Sequence, residues 1–363
     1  MKNIIKYMLV AITALSFSVA KAGDLAVTGS VKASYTVQGS DSAANGVNAG
    51  KALGLSNEFT LSASGELDNG WTWNYATDID GATVQDDGKL TVTTGMGTLG
   101  VFISEGGLDT DNAASQSVIS RPSDTSFDEK MVDSFDISGF NTLQYHTPAD
   151  MLPFGVLLKV AHAPSMVAAA NASYEAGGAL NSGVFTAASA SGAYAQTSDM
   201  GRSGTHYQVK ASPIEGLNIG ADYMEFHDVD GATAQSPESG SYYATYVFGP
   251  ATIGYSKNFL ASAMATNTTD TIESIEGTKY SISFNVNDDL SISYGENTSR
   301  KGFVSRNTAA TSTIDSSAES WQVAYTMGGA ALKVAKTTVD NQNYTSGTGG
   351  DREGMTFALS LAF

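Results

Sequence analysis

The sequence predicts an all-β fold: a sixteen-stranded antiparallel β-barrel that spans a membrane, with short turns at one end and long loops at the other. Three observations support this fold class. Apolar residues alternate with small or polar residues from end to end, tight turns alternate with long connections, and charged residues make up only 15% of the chain. After the N-terminal segment there is no run of apolar residues long enough for a membrane-spanning helix.

The first 22 residues have the pattern of a secretory signal peptide. Lys2 and Lys6 give a positive start, an apolar run follows, and Ala20-Lys21-Ala22 supplies small residues at the cleavage positions. The apolar run is too short to cross a bilayer as a helix, and the alternative is a buried N-terminal helix. We therefore expect residues 1–22 to be a signal peptide and residues 23–363 to form one barrel domain.

A two-residue alternation is clearest near the two ends of the chain. Leu25, Val27 and Val31 begin one such series, and the last one ends at Leu361 and Phe363. This period places apolar side chains on one face of a strand and polar side chains on the other. The same rule, applied throughout, predicts strands at 24–38, 53–65, 70–79, 89–95, 98–104, 140–147, 154–163, 203–212, 216–227, 240–248, 251–260, 278–286, 289–298, 319–327, 331–339 and 352–363.

The short connections between these strands carry turn chemistry, because Gly and Asn adopt positive φ at little cost. They are Asp68-Asn69-Gly70, Met96-Gly97, Pro213-Ile214-Glu215-Gly216, Gly249-Pro250, Asn287-Asp288 and Gly328-Gly329. Long connections alternate with them, so one end of the molecule has turns and the other has loops. An even strand number with this asymmetry is typical of outer-membrane barrels, with periplasmic turns and extracellular loops.

The alternative architecture is a soluble β-sandwich or solenoid, in which the apolar faces would meet in a thin interior. Aromatic residues near the strand ends favour a lipid-facing wall with interfacial girdles. We expect these girdles to include Trp71, Trp73, Tyr242, Tyr246, Tyr255 and Phe259. In a closed barrel the first and last strands must pair, since unpaired backbone groups in lipid are costly.

Composition and charge exclude other classes. The chain has no cysteine, so disulfides do not hold it together. Without residues 1–22 the net charge is −21, from 16 basic and 37 acidic residues. This balance excludes nucleic acid as a partner, because binding phosphates needs Lys and Arg.

The alternation also predicts which charged side chains face the lumen, because charges facing lipid are destabilising. These are Lys32, Glu58, Asp78, Lys89, Lys159, Lys210, Asp222, Lys279, Lys333 and Arg352. Lys32, Lys333 and Arg352 lie on the first and the last two strands, which become neighbours when the barrel closes. We expect these three residues to form a basic wall of the pore.

The chain resembles the general porins of Gram-negative bacteria over essentially the whole of residues 23–363. The resemblance rests on the terminal Ala362-Phe363, the Met96-Gly97-Thr98-Leu99-Gly100-Val101 hairpin, and Leu143-Gln144-Tyr145-His146-Thr147-Pro148. It implies a passive, water-filled channel in the bacterial outer membrane, usually a homotrimer, surrounded by lipid and lipopolysaccharide. It also implies that Phe363 is the signal for barrel assembly and that the third loop folds into the lumen.

The connection 105–139 lies where that constriction loop should be. Its acidic residues are Asp109, Asp111, Asp124, Asp128, Glu129, Asp133 and Asp136, opposed only by Arg121 and Lys130. An acidic loop facing a basic wall would create a transverse field across the pore and a weak cation preference. The alternative for any one of these acids is an ordinary solvated loop charge.

Three other features of the sequence would point to other kinds of site. Asp109-Thr110-Asp111-Asn112 offers oxygen ligands for calcium, although a structural turn is the alternative, and no other cofactor is expected. Gly95-Met96-Gly97-Thr98-Leu99-Gly100 matches a dinucleotide fingerprint, but a strand rather than a helix follows it. The four histidines lie on different strands, and no Ser/His/Asp set is identifiable, so we expect no enzyme activity.

The sequence therefore predicts passive diffusion of small hydrophilic solutes and ions. Two other functions stay open: a substrate-selective channel, and a surface adhesin or receptor anchored by its barrel, with loops 164–202 and 261–277 binding a partner.

Overall fold

The structure, a computed structural model, describes residues 25–39, 50–80, 83–111, 113, 131, 133–164, 203–227, 233–235, 237–261, 264–265, 271–304, 311–345 and 350–363. The expected signal peptide, residues 1–22, lies outside these ranges. Within them, sixteen strands close into one antiparallel barrel, and β10 (Thr233–Gln235) and β13 (Met264–Ala265) form a separate two-stranded sheet.

The barrel strands confirm the sixteen predicted segments. They are β1 (Leu25–Gly39), β2 (Gly50–Glu66), β3 (Thr72–Asp80), β4 (Thr83–Thr94), β5 (Gly97–Ile103), β6 (Thr142–His146), β7 (Leu157–Ala163), β8 (Ser203–Ile214), β9 (Leu217–His227), β11 (Glu238–Phe248), β12 (Ala251–Ala261), β14 (Thr271–Asn285), β15 (Leu290–Val304), β16 (Thr311–Met327), β17 (Ala330–Asp340) and β18 (Arg352–Ala362).

The main differences from the predicted bounds are at the loop ends. β14 and β16 begin seven and eight residues earlier than predicted, because their first residues are Ser/Thr-rich and lack the apolar alternation. β7 begins later than predicted, because residues 153–155 form a 3₁₀ turn in which Phe154 has φ 61°.

The first and last strands pair, as predicted, and this pairing closes the barrel. The β1–β18 ladder runs from Ser30 opposite Ala362 to Gly39 opposite Glu353. Beyond it, the backbone N–H of Gly29 donates to the Phe363 carbonyl at 2.9 Å, and the Phe363 N–H donates back at 3.0 Å. Closure therefore extends to the last residue of the chain.

The tight turn at Met96-Gly97 separates β4 from β5, so the glycine-rich segment around it is a hairpin as predicted. Gly97 has φ 129°, and a Cβ atom there would lie only 2.5 Å from the His146 carbonyl oxygen. Only glycine fits this close approach without strain. The Tyr145 hydroxyl donates to the Met96 carbonyl at 2.6 Å and holds the turn against β6.

The outer surface is apolar and aromatic. Leu158, Ile253 and Leu359 are each more than two-fifths exposed there, and the rings of Tyr255 and Tyr280 lie 5.3 Å apart. The predicted girdle residues Tyr242, Tyr246 and Phe259 also face outward and are exposed. No helix in the part of the chain that the structure describes is long and apolar enough to cross a membrane.

Candidate functional site: a constriction loop inside the barrel

The long connection after β5 runs along the inner wall of the barrel. Three inward side chains from different strands donate to its backbone carbonyls: Gln144 to Gly106 at 2.7 Å, Gln208 to Leu108 at 2.7 Å, and Ser256 to Asp111 at 2.6 Å. The loop therefore crosses β6, β8 and β12 from within. This confirms the expected inward-folded third loop.

A buried polar network ties the loop to β8, β9 and β11. The backbone N–H and the hydroxyl of Thr110 donate to Asp222 Oδ1 at 2.7 and 2.8 Å, and the Ser241 hydroxyl donates to the same oxygen. His206 Nε2 lies 3.1 Å from Asp222 Oδ2. All four side chains are buried. A buried carboxylate needs such partners, so Asp222 is one of the points where the loop and the wall are joined.

Asp136 makes a second set of contacts that hold the loop in the same region. Its carboxylate accepts from the Leu108 N–H at 2.9 Å and from the Ser138 hydroxyl at 2.8 Å, and it lies 3.5 Å from His206 Nδ1. Burial alone would raise the pKa of Asp136, but these three neighbours outweigh it and hold the pKa well below its usual range. Asp136 therefore stays ionised and crosslinks the two ends of the loop.

Asp109 and Asp111 lie together beside these contacts. Asp111 is fully buried and accepts from the backbone N–H and the hydroxyl of Ser134. The pKa of Asp109 is raised to about 9. Burial is the largest cause, followed by the hydrogen bond with Asp111 and the negative charges of Asp111 and Asp136. Asp109 is thus protonated at neutral pH and adds no charge to the pore.

Two further loop carboxylates form ion pairs with inward lysines. Glu105 pairs with Lys89 of β4, and Asp133 Oδ1 lies 2.9 Å from Lys279 Nζ of β14. The loop carboxylates that the structure describes are therefore bound to wall or loop partners, or neutral. Asp124, Asp128 and Glu129 lie outside the described residues.

An apolar cluster fills the space between the loop and the wall. Met224, Phe226, Leu260 and Ile275 face inward, although their strands otherwise point apolar side chains outward. Phe135 of the loop packs against Phe226 with the rings at 5.1 Å in an edge-to-face arrangement. The other members are Leu108, Ile137, Phe140, Ala161, Ala163 and Tyr344. The expectation that only polar side chains line the interior is wrong here, because the loop needs an apolar surface to dock on.

The predicted inward charges lie on the inner face, but the proposed basic wall is not one cluster. Lys32 is opposite Ser360, and Lys333 is opposite Ala358, so these two lysines are neighbours around β18. Arg352 is opposite Val339, at the start of β18 and six residues before Ala358. At the usual rise this is about 20 Å nearer the loop end.

Residues 342–344, between β17 and β18, also turn inward, which the sequence analysis did not predict. Tyr344 is buried, its hydroxyl lies 2.6 Å from the Ser299 hydroxyl, and its ring centroid is 4.9 Å from Lys301 Nζ. Tyr344 joins the apolar cluster of the third loop. Tyr344 and Asn341 both have positive φ, and no simple sequence signal marks this turn.

The structure brings together Ser241, His206 and Asp222, a set that the sequence did not single out. The histidine and the serine both contact the carboxylate, rather than the histidine lying between serine and carboxylate as nucleophile activation requires. Among the described residues, no group of three or more His, Cys, Asp or Glu side chains is arranged to hold a metal ion.

Comparison with known proteins shows what this barrel is similar to. No family model and no curated protein matches the chain. Among solved structures, a loop L8 deletion mutant of OmpT, an outer membrane protein of Vibrio cholerae, has 12% identity and a TM-score of 0.61, covering 94% of this chain and 100% of that chain. The anion-selective porin from Comamonas acidovorans has 11% identity and a TM-score of 0.59, with the same coverage.

A third solved structure agrees with these two. Salmonella typhi OmpF in complex with daunomycin has 10% identity and a TM-score of 0.58, covering 94% of this chain and 98% of that chain. At such identities the likeness shows the fold. The chain has the porin fold, a closed barrel of sixteen antiparallel strands with its third loop inside.

Proposed function

We propose that the protein is an outer-membrane porin, through which small hydrophilic solutes and ions diffuse passively. The observation that carries this proposal is the closed sixteen-stranded barrel with an apolar exterior and a third loop folded against its inner wall. Barrels of this strand number are wide enough for an aqueous channel, which the loop narrows. Conduction needs no tight binding, since solutes must leave as readily as they enter.

The bacterial outer membrane, its lipid and its lipopolysaccharide are the surroundings that suit this exterior. The similar proteins include outer membrane proteins and porins, and OmpT of Vibrio cholerae is described in a trimer form. We extend both properties to this chain: a homotrimer in the outer membrane after removal of residues 1–22. Crosslinking of the detergent-extracted protein tests the trimer, and N-terminal sequencing of the mature protein tests the cleavage.

Planar-bilayer recording of the purified protein tests the channel itself. We expect stepwise, ohmic conductance in KCl. Saturable block by one sugar would instead indicate the substrate-selective channel, and an absence of steps would leave the barrel-anchored adhesin or receptor. We propose no catalytic activity, because the histidine of the Ser241, His206 and Asp222 set does not lie between the serine and the carboxylate.

The weak cation preference stays a prediction. Its test is a reversal of charge at Asp128, Glu129 and Asp133 to Lys, which should move the reversal potential toward anions. An unchanged potential would remove these residues from the narrow part of the pore. A variant with Asp315→Lys is the control, because Asp315 lies on the outer face, where its ion pair with Arg300 is exposed.

Calcium binding at Asp109 and Asp111 also stays a prediction. The ion would have to displace the proton that Asp109 holds at neutral pH. Calorimetric titration with CaCl₂ at pH 6 and pH 9 tests this. Tighter binding at the higher pH, abolished in Asp109→Asn, supports the site, and no heat at either pH excludes it.

A further inference from the structure

Two lysines face the lumen side by side on β7 and β8. Lys159 is the register partner of Gln208, and neighbouring residues of an antiparallel pair point to the same face of the sheet. Gln208 contacts the constriction loop, so this face is the inner one. Lys210 is the next inward residue of β8. Both lysine side chains are partly exposed, so their ammonium groups reach the lumen.

The arrangement concentrates positive charge on this part of the wall. The register places Lys210 diagonally from Lys159, two residues along β8 from Gln208, and Lys159 is itself opposite His146 of β6. Neither lysine forms an ion pair with any residue that the structure describes. Asp222 of β9, which is opposite Gln208, is already bound by Thr110, Ser241 and His206.

Two charges of one sign on the wall of a narrow cleft raise the local concentration of ions of the opposite sign. The lysine pair lies beside the third loop, where Gln208 holds the Leu108 carbonyl. An anion crossing the narrow part of the pore along this wall would meet both ammonium groups. By contrast, Lys89 and Lys279 form ion pairs with loop acids, so their ammonium groups are not available to a permeating anion in the same way.

We propose that Lys159 and Lys210 form an anion site on the pore wall, a station for small inorganic or carboxylate anions during permeation. This inference rests on the proposed channel function and adds a determinant of ion selectivity to it. It names the side of the lumen along which anions pass: the β7–β8 wall, next to the point where the constriction loop is attached.

The test compares wild type with the double variant Lys159→Gln/Lys210→Gln in planar bilayers under a KCl gradient. Loss of two lumenal charges should lower the chloride-to-potassium permeability ratio about two- to threefold in 0.1 M salt, where the screening length is about 10 Å. In 1 M salt, where it is about 3 Å, the change should be much smaller. Added inorganic phosphate should reduce chloride current in wild type and not in the double variant.

Matched variants separate this role from a structural one. Lys159→Arg/Lys210→Arg keeps the charges and should keep the wild-type ratio. Lys336→Gln, on the outer face and paired with Glu353, removes a lysine away from the lumen and should also leave the ratio unchanged. If the double variant folds poorly, each single Gln variant should shift the ratio in the same direction by a smaller amount.

Failure of the anion-site proposal and failure of the channel proposal give different results. Normal conductance of the Gln variants with an unaltered permeability ratio, or a shift equal at both salt concentrations, would overturn the anion site and leave the channel standing. Absence of conductance steps in wild type would overturn the channel, and the anion site with it.

Discussion

His206 and Asp222 meet inside the barrel, with imidazole Nε2 3.1 Å from carboxylate Oδ2, on the neighbouring strands β8 and β9. The same carboxylate accepts two hydrogen bonds from Thr110, more than a hundred residues away in sequence. One buried pair thus belongs both to the wall and to the attachment of the loop. The position of the loop, and so the width of the pore, depends on it.

Replacing Asp222 with Ala should release the loop. The change leaves His206, Thr110 and Ser241 buried without their partner, which costs about 3 kcal/mol in the free energy of unfolding. Urea unfolding in detergent micelles measures this loss, and single-channel recording should show a larger and noisier conductance. Ser212→Ala, at the exposed turn end of β8, is the control. Equal stability and conductance in Asp222→Ala would show that the loop is held elsewhere.

Asp109 should make the loop sensitive to alkaline pH. Its ordinary pKa is 3.8 and burial raises the pKa to about 9, so the folded loop holds the proton more strongly than a released loop. Between these values the released loop ionises and the docked loop does not, so docking weakens as pH rises and levels off above 9. Hydrogen exchange of residues 104–111 from pH 6 to pH 10, corrected for the intrinsic rate, measures this.

The variant Asp109→Asn mimics the protonated acid and should abolish the alkaline part of that profile. The Asn side chain can still donate a hydrogen bond to Asp111, but it has no proton that dissociates in this pH range. A profile identical to wild type in the Asn variant would assign the titration to another group.

The apolar cluster should contribute to stability as a protein core does. Leu260 is 1% exposed and faces the loop, whereas Leu332 is 42% exposed on the outer surface. Leu260→Ala should lower the free energy of unfolding by about 2–5 kcal/mol through the cavity that it leaves. Leu332→Ala, where lipid or detergent fills the space, should cost about 1 kcal/mol. Equal losses in the two variants would mean that the interior cluster is loosely packed.

Deleting Phe363 should affect assembly in cells more than the folded barrel. Its ring lies 5.6 Å from that of Phe59 and is largely exposed, and the β1–β18 ladder from Ser30 to Gly39 does not need it. We expect less barrel in the outer membrane but normal refolding of purified protein in detergent, followed by heat-dependent gel mobility. Phe363→Tyr is the conservative control. Failure of purified protein to refold would make Phe363 a stability determinant instead.

The strands were predictable because each carries its own signal. Alternation such as Met355, Phe357, Leu359 determines which face meets lipid, and Gly97 or Gly328 supplies the positive φ that a turn needs. Where that local signal was weak the prediction failed. The sequence assigns the Ser/Thr-rich start of β16 to a loop, because this segment has no apolar alternation. Met224 and Phe226 alternate as apolar residues of a strand normally do, so the sequence does not show that they face inward.

The attachment of the loop depends on contacts between distant parts of the chain. Thr110 with Asp222, Phe135 with Ser239 and Ser256 with Asp111 each join residues 104 to 145 positions apart. Sequence showed that the 105–139 loop was acidic. It did not show that Asp109 is neutral, that Asp136 is held by His206, or that Arg352 lies far from Lys333 along the pore.

The sequence by itself determined the class of the protein: the strand number, the face that meets lipid and the end that carries loops. These follow from periodicity and turn chemistry, which are local. Only the tertiary structure decided which charges remain available in the pore, because burial and pairing depend on neighbours that closure of the barrel brings together. That is why the described carboxylates of the acidic loop are bound to partners or neutral, while Lys159 and Lys210 face the lumen.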